Sequence, residues 1–380
     1  MSERHVLPQT VTRMLVLQPT SFCNIDCDYC FLPGRNIKTL MTDATLRNVI
    51  DNLTKDNLLS TKLTILWHSG EPLVAGVDFY RRAFDMVSYR IPSGVKVTHS
   101  ILTNGTLIDD SWAEFFLEND VRIGVSCDGP EFLHDMRRKT RSGQGTYNRV
   151  IRGIKTLQGH GIDFYVLSVL STASLKCADQ ILQFAKDNSI RALCFNIEET
   201  EGINSSKTFG SKGLEADVAG FFHELLRRTF ESAESPWIRE LDEMFPRFFR
   251  ISDKDLENHL TEPFRIVTVD AAGRWSTFSP ELAAAGFCFG DLNQGPISFH
   301  IADSNFWEVH RAISAGVDMC RGECEYFAVC GGGAPSNKFA ERGRFDVTET
   351  KHCRTMVKTI ADVCMTGMGQ YVLRENRSAS

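Results

Sequence analysis

Between residues 13 and 200, short apolar runs rich in β-branched residues alternate with longer stretches of helical periodicity. The runs RMLVLQ (13–18), KLTILWH (62–68), VKVTHSIL (95–102), VRIGVS (121–126), IDFYVLSVL (162–170) and IRALCFNI (190–197) read as strands. Helices are expected near 42–58, 76–90, 109–119, 145–160 and 174–188, the third capped by its Asp-Asp-Ser start. Repeated βα units predict a parallel sheet with helices outside, as an open doubly wound sheet or a partial barrel. Residues 200–213 are polar and Gly/Ser-rich and read as a loop. Beyond them the pattern predicts a helix over 214–234, an aromatic-rich helix near 236–250 and a hairpin over 264–278 turning at Ala272-Gly273. Helices at 304–315 and about 354–373 complete the expected elements.

Polar and metal-type residues follow the ends of these strands. A Cys23/Cys27/Cys30 loop follows the first, Ser69-Gly70-Glu71-Pro72 the second and Thr103-Asn104-Gly105 the third. Ser126, Cys127 and Asp128 follow the fourth, and Asn196 with Glu198-Glu199 the sixth. In parallel α/β architectures the C-terminal rim of the sheet is where ligands bind. Five rims carrying such groups place the expected site there.

Composition narrows the class. Apolar residues make up 42% and charged residues 24%, enough apolar material for a sizeable core. The net charge of −6 gives no basic excess, so neither nucleic acid nor an anionic membrane is expected as partner. No apolar run reaches a membrane span, and the start MSERHVLPQTVTR lacks the apolar core of a secretory signal. A cytoplasmic, reducing compartment is expected, in which clustered cysteines serve metal binding or catalysis. The twelve cysteines are indeed clustered: Cys23-x3-Cys27-x2-Cys30, and Cys320-x3-Cys324-x5-Cys330 with Cys353 following. Cys177, Cys194, Cys364 and Cys288 are expected as buried thiols.

Three thiolates in eight residues can wrap one corner of an iron–sulfur cube and leave one iron open. A zinc site completed by a distant ligand is the alternative. CNIDCDYC matches the C-x3-C-x2-C signature of the radical SAM superfamily, including the aromatic Tyr29 before the last cysteine, and Ser69-Gly70-Glu71-Pro72 resembles that family's Gly-Gly-Glu segment. The resemblance implies a partial (β/α)6 barrel over residues 10–235. It implies a [4Fe–4S] cluster on Cys23, Cys27 and Cys30, and S-adenosylmethionine held with help from Tyr29, Ser69, Gly70, Glu71, Asn104 and Ser126.

Residues 236–380 resemble the SPASM extension of radical SAM peptide-modifying enzymes. Here the first spacing is x3 instead of x2, Ala334 stands at the fourth cysteine position, and Phe278 stands five residues after Gly273 where an upstream cysteine is usual. The resemblance therefore implies one auxiliary [4Fe–4S] cluster, on Cys320, Cys324, Cys330 and Cys353. The stretches QPTSFCNIDCDYCFLPGR, DGPEFLHDMRR, STFSPEL and CGGGAPSNKFAERGRFDVTETKHCR are similar to the cyclophane-forming maturases of Gly-rich-repeat peptides.

The implied activity is C–C crosslinking in a ribosomally made precursor peptide, between an aromatic ring and the Cβ of a residue two positions on. Asp128 and Glu281 are the expected bases, and flavodoxin or ferredoxin the expected electron donor. Formylglycine formation in sulfatases and thioether formation are rivals on the same scaffold, and a non-enzymatic zinc or electron-transfer protein is a rival of another class. Sulfatase-maturing enzymes use two auxiliary clusters, which Phe278 and Ala334 count against.

Overall fold

The computed structural model describes residues 10–232, 234–249, 256–302 and 304–378. Its strands are β1 (Thr12–Leu17), β2 (Ile25–Cys27), β3 (Leu59–Trp67), β4 (Lys96–Thr103), β5 (Arg122–Ser126), β6 (Arg138–Thr140), β7 (Phe164–Leu170), β8 (Ala192–Ile197), β9 (Trp237–Ile238), β10 (Ile266–Val269), β11 (Arg274–Thr277) and β12 (Gly290–Asp291). Ten form one sheet in the order β12-β11-β10-β1-β3-β4-β5-β7-β8-β9. From β1 to β8 every neighbouring pair is parallel. A doubly wound sheet reverses its winding at a switch point. Here each strand lies beside its predecessor without reversal, which is the winding of a partial barrel. The fold is α/β with a largely parallel sheet, as the six apolar runs predict.

Helices α1 (Asp43–Lys55), α2 (Val77–Arg90), α3 (Asp110–Glu118), α4 (Glu131–Arg137), α5 (Tyr147–Gly159) and α6 (Ala178–Asp187) connect these strands. In α1, Leu46, Val49, Ile50 and Leu53 recur at helical spacing and are at most 1% exposed. Each such burial contributes about 1.5–3 kcal/mol. The expected cap is present: the Asp109 carboxylate accepts from the Trp112 amide at 3.1 Å.

The remaining helices are α7 (Leu214–Glu231), the single turns α8 (Arg239–Asp242), α9 (Met244–Arg247) and α10 (Ile297–His300), then α11 (Phe306–Glu323), α12 (Phe327–Cys330), α13 (Pro335–Arg342) and α14 (Thr359–Ser378). The aromatic-rich segment near 236–250 is thus not one helix. Trp237 and Ile238 pair with β8, and the ring of Pro246 is incompatible with a continuous helix through Asp242. Conversely, α11 continues past the expected stop at Gly316. A Cβ there would come within 2.2 Å of the Phe345 carbonyl oxygen, so this glycine serves a close helix–backbone approach. The hairpin β10–β11 forms where expected. Strand β10 also pairs in parallel with β1, so the sheet runs on into the C-terminal third of the chain.

Candidate active site

The loop after β1 folds back on itself. Its β2 pairs antiparallel with β6, setting Asp26 opposite Lys139 and Cys27 opposite Arg138. Cys23 and Cys27 are buried and Cys30 half-buried. Burial pushes the Cys23 thiol up to about 11, with Glu71 and Cys30 adding to it. Burial likewise pushes Cys27 up to about 12; Arg138 opposes this, and Cys30 and Cys23 add to it. Thiols that oppose one another's ionisation out of water become thiolates only beside a compensating cation, as an iron–sulfur cube provides. Among the described residues no three His, Cys, Asp or Glu side chains close on a single metal ion.

The second rim leans against this loop. Ser69 and Gly70 both have positive φ, and a Cβ on Gly70 would come within 2.4 Å of the Phe22 carbonyl oxygen, so glycine is required there. The Glu71 amide donates to that same carbonyl at 2.8 Å. The Glu71 side chain is fully buried. One of its oxygens accepts from the Leu73 amide (3.0 Å) and the Thr103 hydroxyl (2.6 Å), the other from the Asn104 amide (2.7 Å). Burial still lifts the carboxyl to about 7. Asn104 donates to Asn24 at 2.8 Å and lies 3.8 Å from the Cys23 sulfur. Glu71, Asn104 and Cys23 are therefore one connected group.

At the fourth rim, Ser126 ends β5. Asp128 accepts from the Tyr29 hydroxyl (2.6 Å), Arg138 (3.0 Å) and the Val169 amide (3.0 Å). Burial pushes its carboxyl up, but Arg138 and Tyr29 outweigh burial and hold it below the usual range. Three donors thus engage the Asp128 carboxylate, which favours its ionised form. It holds Tyr29, whose ring lies under Arg137 and Arg138.

The second cysteine set surrounds a cavity of about 350 Å³. Cys320 comes from α11, Cys324 caps that helix, Cys330 ends α12, and Cys353 begins a π-helical turn ahead of α14. Burial pushes Cys353 up to about 12, with Cys330 and Cys324 adding to it. Gly331, Gly332 and Gly333 all have positive φ, which carries the backbone around the sulfurs. Lys338, 4% exposed, donates to the Gly316 carbonyl at 2.9 Å and reaches the Cys320 sulfur at 3.5 Å. Phe278 is fully buried, stacked with Phe306 and His310. Phe278, the residue five positions after Gly273, is thus part of an aromatic cluster. Cys194 and Cys364 are buried and Cys177 half-buried, but Cys288 is exposed, contrary to expectation, and its thiol donates to the Gly290 carbonyl.

Carboxylates gather where the sixth rim meets this second set. Burial, with Glu199 adding to it, lifts Glu281 to about 7. Burial, with Glu281 and Glu199 adding to it, lifts Glu201 to about 9. Glu199 is held by Asn337 of α13 and by His352 at 3.3 Å. Sequence reasoning missed Glu201 and Lys338. Glu201 lies in the polar loop at 200–213, and the lysine looks like one more charge on an amphipathic helix.

A sequence profile of the radical SAM superfamily matches residues 17–185. An uncharacterised protein, sll1766, of Synechocystis sp. is 36% identical over 365 residues, 93% of this chain and 91% of that one. The chain belongs to the radical SAM superfamily. It is an enzyme of that superfamily, whose cofactors are a [4Fe–4S] cluster and S-adenosylmethionine. The cysteine-type anaerobic sulfatase-maturating enzyme of Clostridium perfringens is 30% identical over 188 residues, 48% of this radical SAM chain and 50% of that enzyme. A solved structure described as native anSMEcpe with bound AdoMet and Cp18Cys peptide shares the radical SAM chain's fold, with a TM-score of 0.80 at 21% identity over 95% of this chain and 99% of that one. Among the described residues no helix is long and apolar enough to cross a membrane.

Proposed function

We propose that this enzyme crosslinks a ribosomally made precursor peptide, joining an aromatic ring to the Cβ of a residue two positions on. Cys23, Cys27 and Cys30 hold the first cluster. Glu71, Asn104, Ser69, Gly70, Ser126 and Tyr29 hold S-adenosylmethionine. Cys320, Cys324, Cys330 and Cys353 hold an auxiliary cluster. When bound, these groups supply a 5′-deoxyadenosyl radical that takes hydrogen from the substrate Cβ, and an electron acceptor for the later oxidation. Glu71 offers a buried anion to the cofactor's ammonium, while Asp128 fixes the Tyr29 ring. Glu281 takes the proton that the ring loses as it regains aromaticity, with burial and Glu199 raising its proton affinity.

The observation that carries this reading is the position of α13. Asn337 on that helix binds the carboxylate group, and the adjacent Lys338 binds Cys320. Rearomatisation releases one proton and one electron, and this helix ties Glu199, the charged neighbour of the proposed proton acceptor Glu281, to a ligand of the proposed electron acceptor. A peptide bound to the structural neighbour supports the substrate class. The test is mass spectrometry of the precursor after turnover. Each crosslink removes two hydrogens and forms one 5′-deoxyadenosine, and deuterium placed at the donor Cβ appears in that nucleoside. An aldehyde in the product, or a link through sulfur, overturns the proposal.

A further inference from the structure

Residues 137–141, RRKTR, place four cations in five positions of a chain whose net charge is −6. The active site accounts for two. Arg138 turns inward to Asp128, and Arg137 pairs with Asp28 and Glu198. Lys139 and Arg141 face outward and are exposed. The β2–β6 pairing puts them on one face with the loop that carries the cysteines. Arg141 donates twice to the Cys23 carbonyl, at 2.9 and 2.7 Å, and stands over the Phe22 ring. The exposed Lys38 stands over the same ring, 5.3 Å from its centroid. Arg35 donates to the Cys27 carbonyl at 3.3 Å and to Asp26 at 2.6 Å. Beside them Ile37 is 56% exposed. Four cations thus share this face with an exposed apolar residue and with two carboxylates, Asp26 and Asp28, each already paired with an arginine. Lys38 and Lys139 have no carboxylate partner among the described residues.

We infer that this face docks an acidic, low-potential one-electron carrier protein. The inference rests on the assignment of the first cluster to Cys23, Cys27 and Cys30. Each turnover needs one electron delivered there: the carrier is oxidised by one electron and the cluster is reduced by one. The patch complements an acidic partner in charge. Two of its cations bond the backbone carbonyls of the proposed ligands, so a carrier seated on it is separated from the cluster by one side chain.

The test uses the reconstituted full chain and its double variant Lys38→Glu/Lys139→Glu, which leaves Arg141 and Arg35 in place. The electron sources are flavodoxin hydroquinone, in substoichiometric and saturating amounts, and dithionite, a small reductant that needs no docking face. Binding of flavodoxin is measured by titration at low and high salt. The double reversal is expected to weaken flavodoxin binding at least about tenfold at low salt, and less at high salt. Flavodoxin-driven 5′-deoxyadenosine formation should fall by the same factor at substoichiometric carrier, while dithionite-driven formation is unchanged. Unchanged flavodoxin binding overturns the inference. So does an equal fall with both reductants, or a raised peptide KM under dithionite, which would make the face a substrate surface. Lys38→Gln/Lys139→Gln gives the same comparison with a smaller effect if the reversal does not fold. Absence of dithionite-driven cleavage in the unaltered enzyme would instead defeat the assignment of the first cluster.

Discussion

Glu71→Gln removes one charge from the centre of the site and leaves its volume almost unchanged. Burial lifts the Glu71 carboxyl from an ordinary 4.5 to about 7 even though it accepts three hydrogen bonds. The difference corresponds to about 3 kcal/mol. The folded state therefore binds a proton more tightly than the unfolded chain. The penalty of the ionised form grows as pH rises from 4.5 to 7, and stability falls through that window. An ammonium group beside Glu71 requires the ionised form, so binding must follow the opposite course. At pH 6 only about one carboxyl in eleven is ionised, and S-adenosylmethionine should bind about tenfold more weakly than at pH 8 on this account alone. The Gln variant has nothing to titrate there. Its affinity at pH 8 should be lower by about 1.5–3 kcal/mol, roughly 10- to 150-fold, for the lost charge-assisted hydrogen bond. Equilibrium titrations at pH 6, 7 and 8, on both proteins at equal iron loading, give two curves whose difference cancels the cofactor's own titration. Curves that run parallel, or equal affinities at pH 8, would remove Glu71 from the cofactor site.

Three further outcomes are expected. Iron analysis of the reconstituted protein should give about eight atoms per chain, and replacing Cys23, Cys27 and Cys30 by Ala should halve that; about twelve would mean a second auxiliary cluster. Glu281→Gln should slow crosslinking about 100-fold or more while 5′-deoxyadenosine still forms. Since the Glu281 carboxyl is lifted to about 7 and must be ionised to accept a proton, the unaltered rate should rise through that pH, and a flat profile would exclude it as the base. Lys338→Met should lower the midpoint potential of the auxiliary cluster, by about 60 mV if its equilibrium for reduction changes tenfold, whereas Lys338→Arg should leave it nearly unmoved in an EPR-monitored redox titration.

The six barrel strands and their helices were legible because parallel strands buried on both faces are written as apolar runs, and the helices between them as amphipathic periods. Elements whose existence depends on a distant partner were not. The ribbon β2–β6 joins residues more than a hundred positions apart through three residue pairs, and neither strand has a periodicity to read. The single turn at α9 reflects Pro246, a signal that was visible and outweighed by the aromatic pattern. Gly316 inside α11 is not a stop signal but leaves room for the Phe345 carbonyl, a contact that no local rule contains. The site divides in the same way. Cys23, Glu71 and Asn104 were marked by their positions after strands. The buried ion pair that engages Asp128 comes from Arg138, a residue of the unread ribbon, and the carboxylates at 199, 201 and 281 meet only in three dimensions.

The pairing of β10 with β1 bears on how the protein can be cut. Residues Met14–Leu17 hydrogen-bond on one side to β3 and on the other to Ile266–Val269, and Leu15, Val16 and Leu17 are at most 1% exposed. A chain ending at residue 235 would keep all six barrel strands yet leave the first with an open, apolar backbone edge, the geometry that recruits strands from other molecules. Such a fragment should aggregate on expression. A shorter catalytic unit would need a replacement strand, or a proline or lysine on that edge, to stay dispersed.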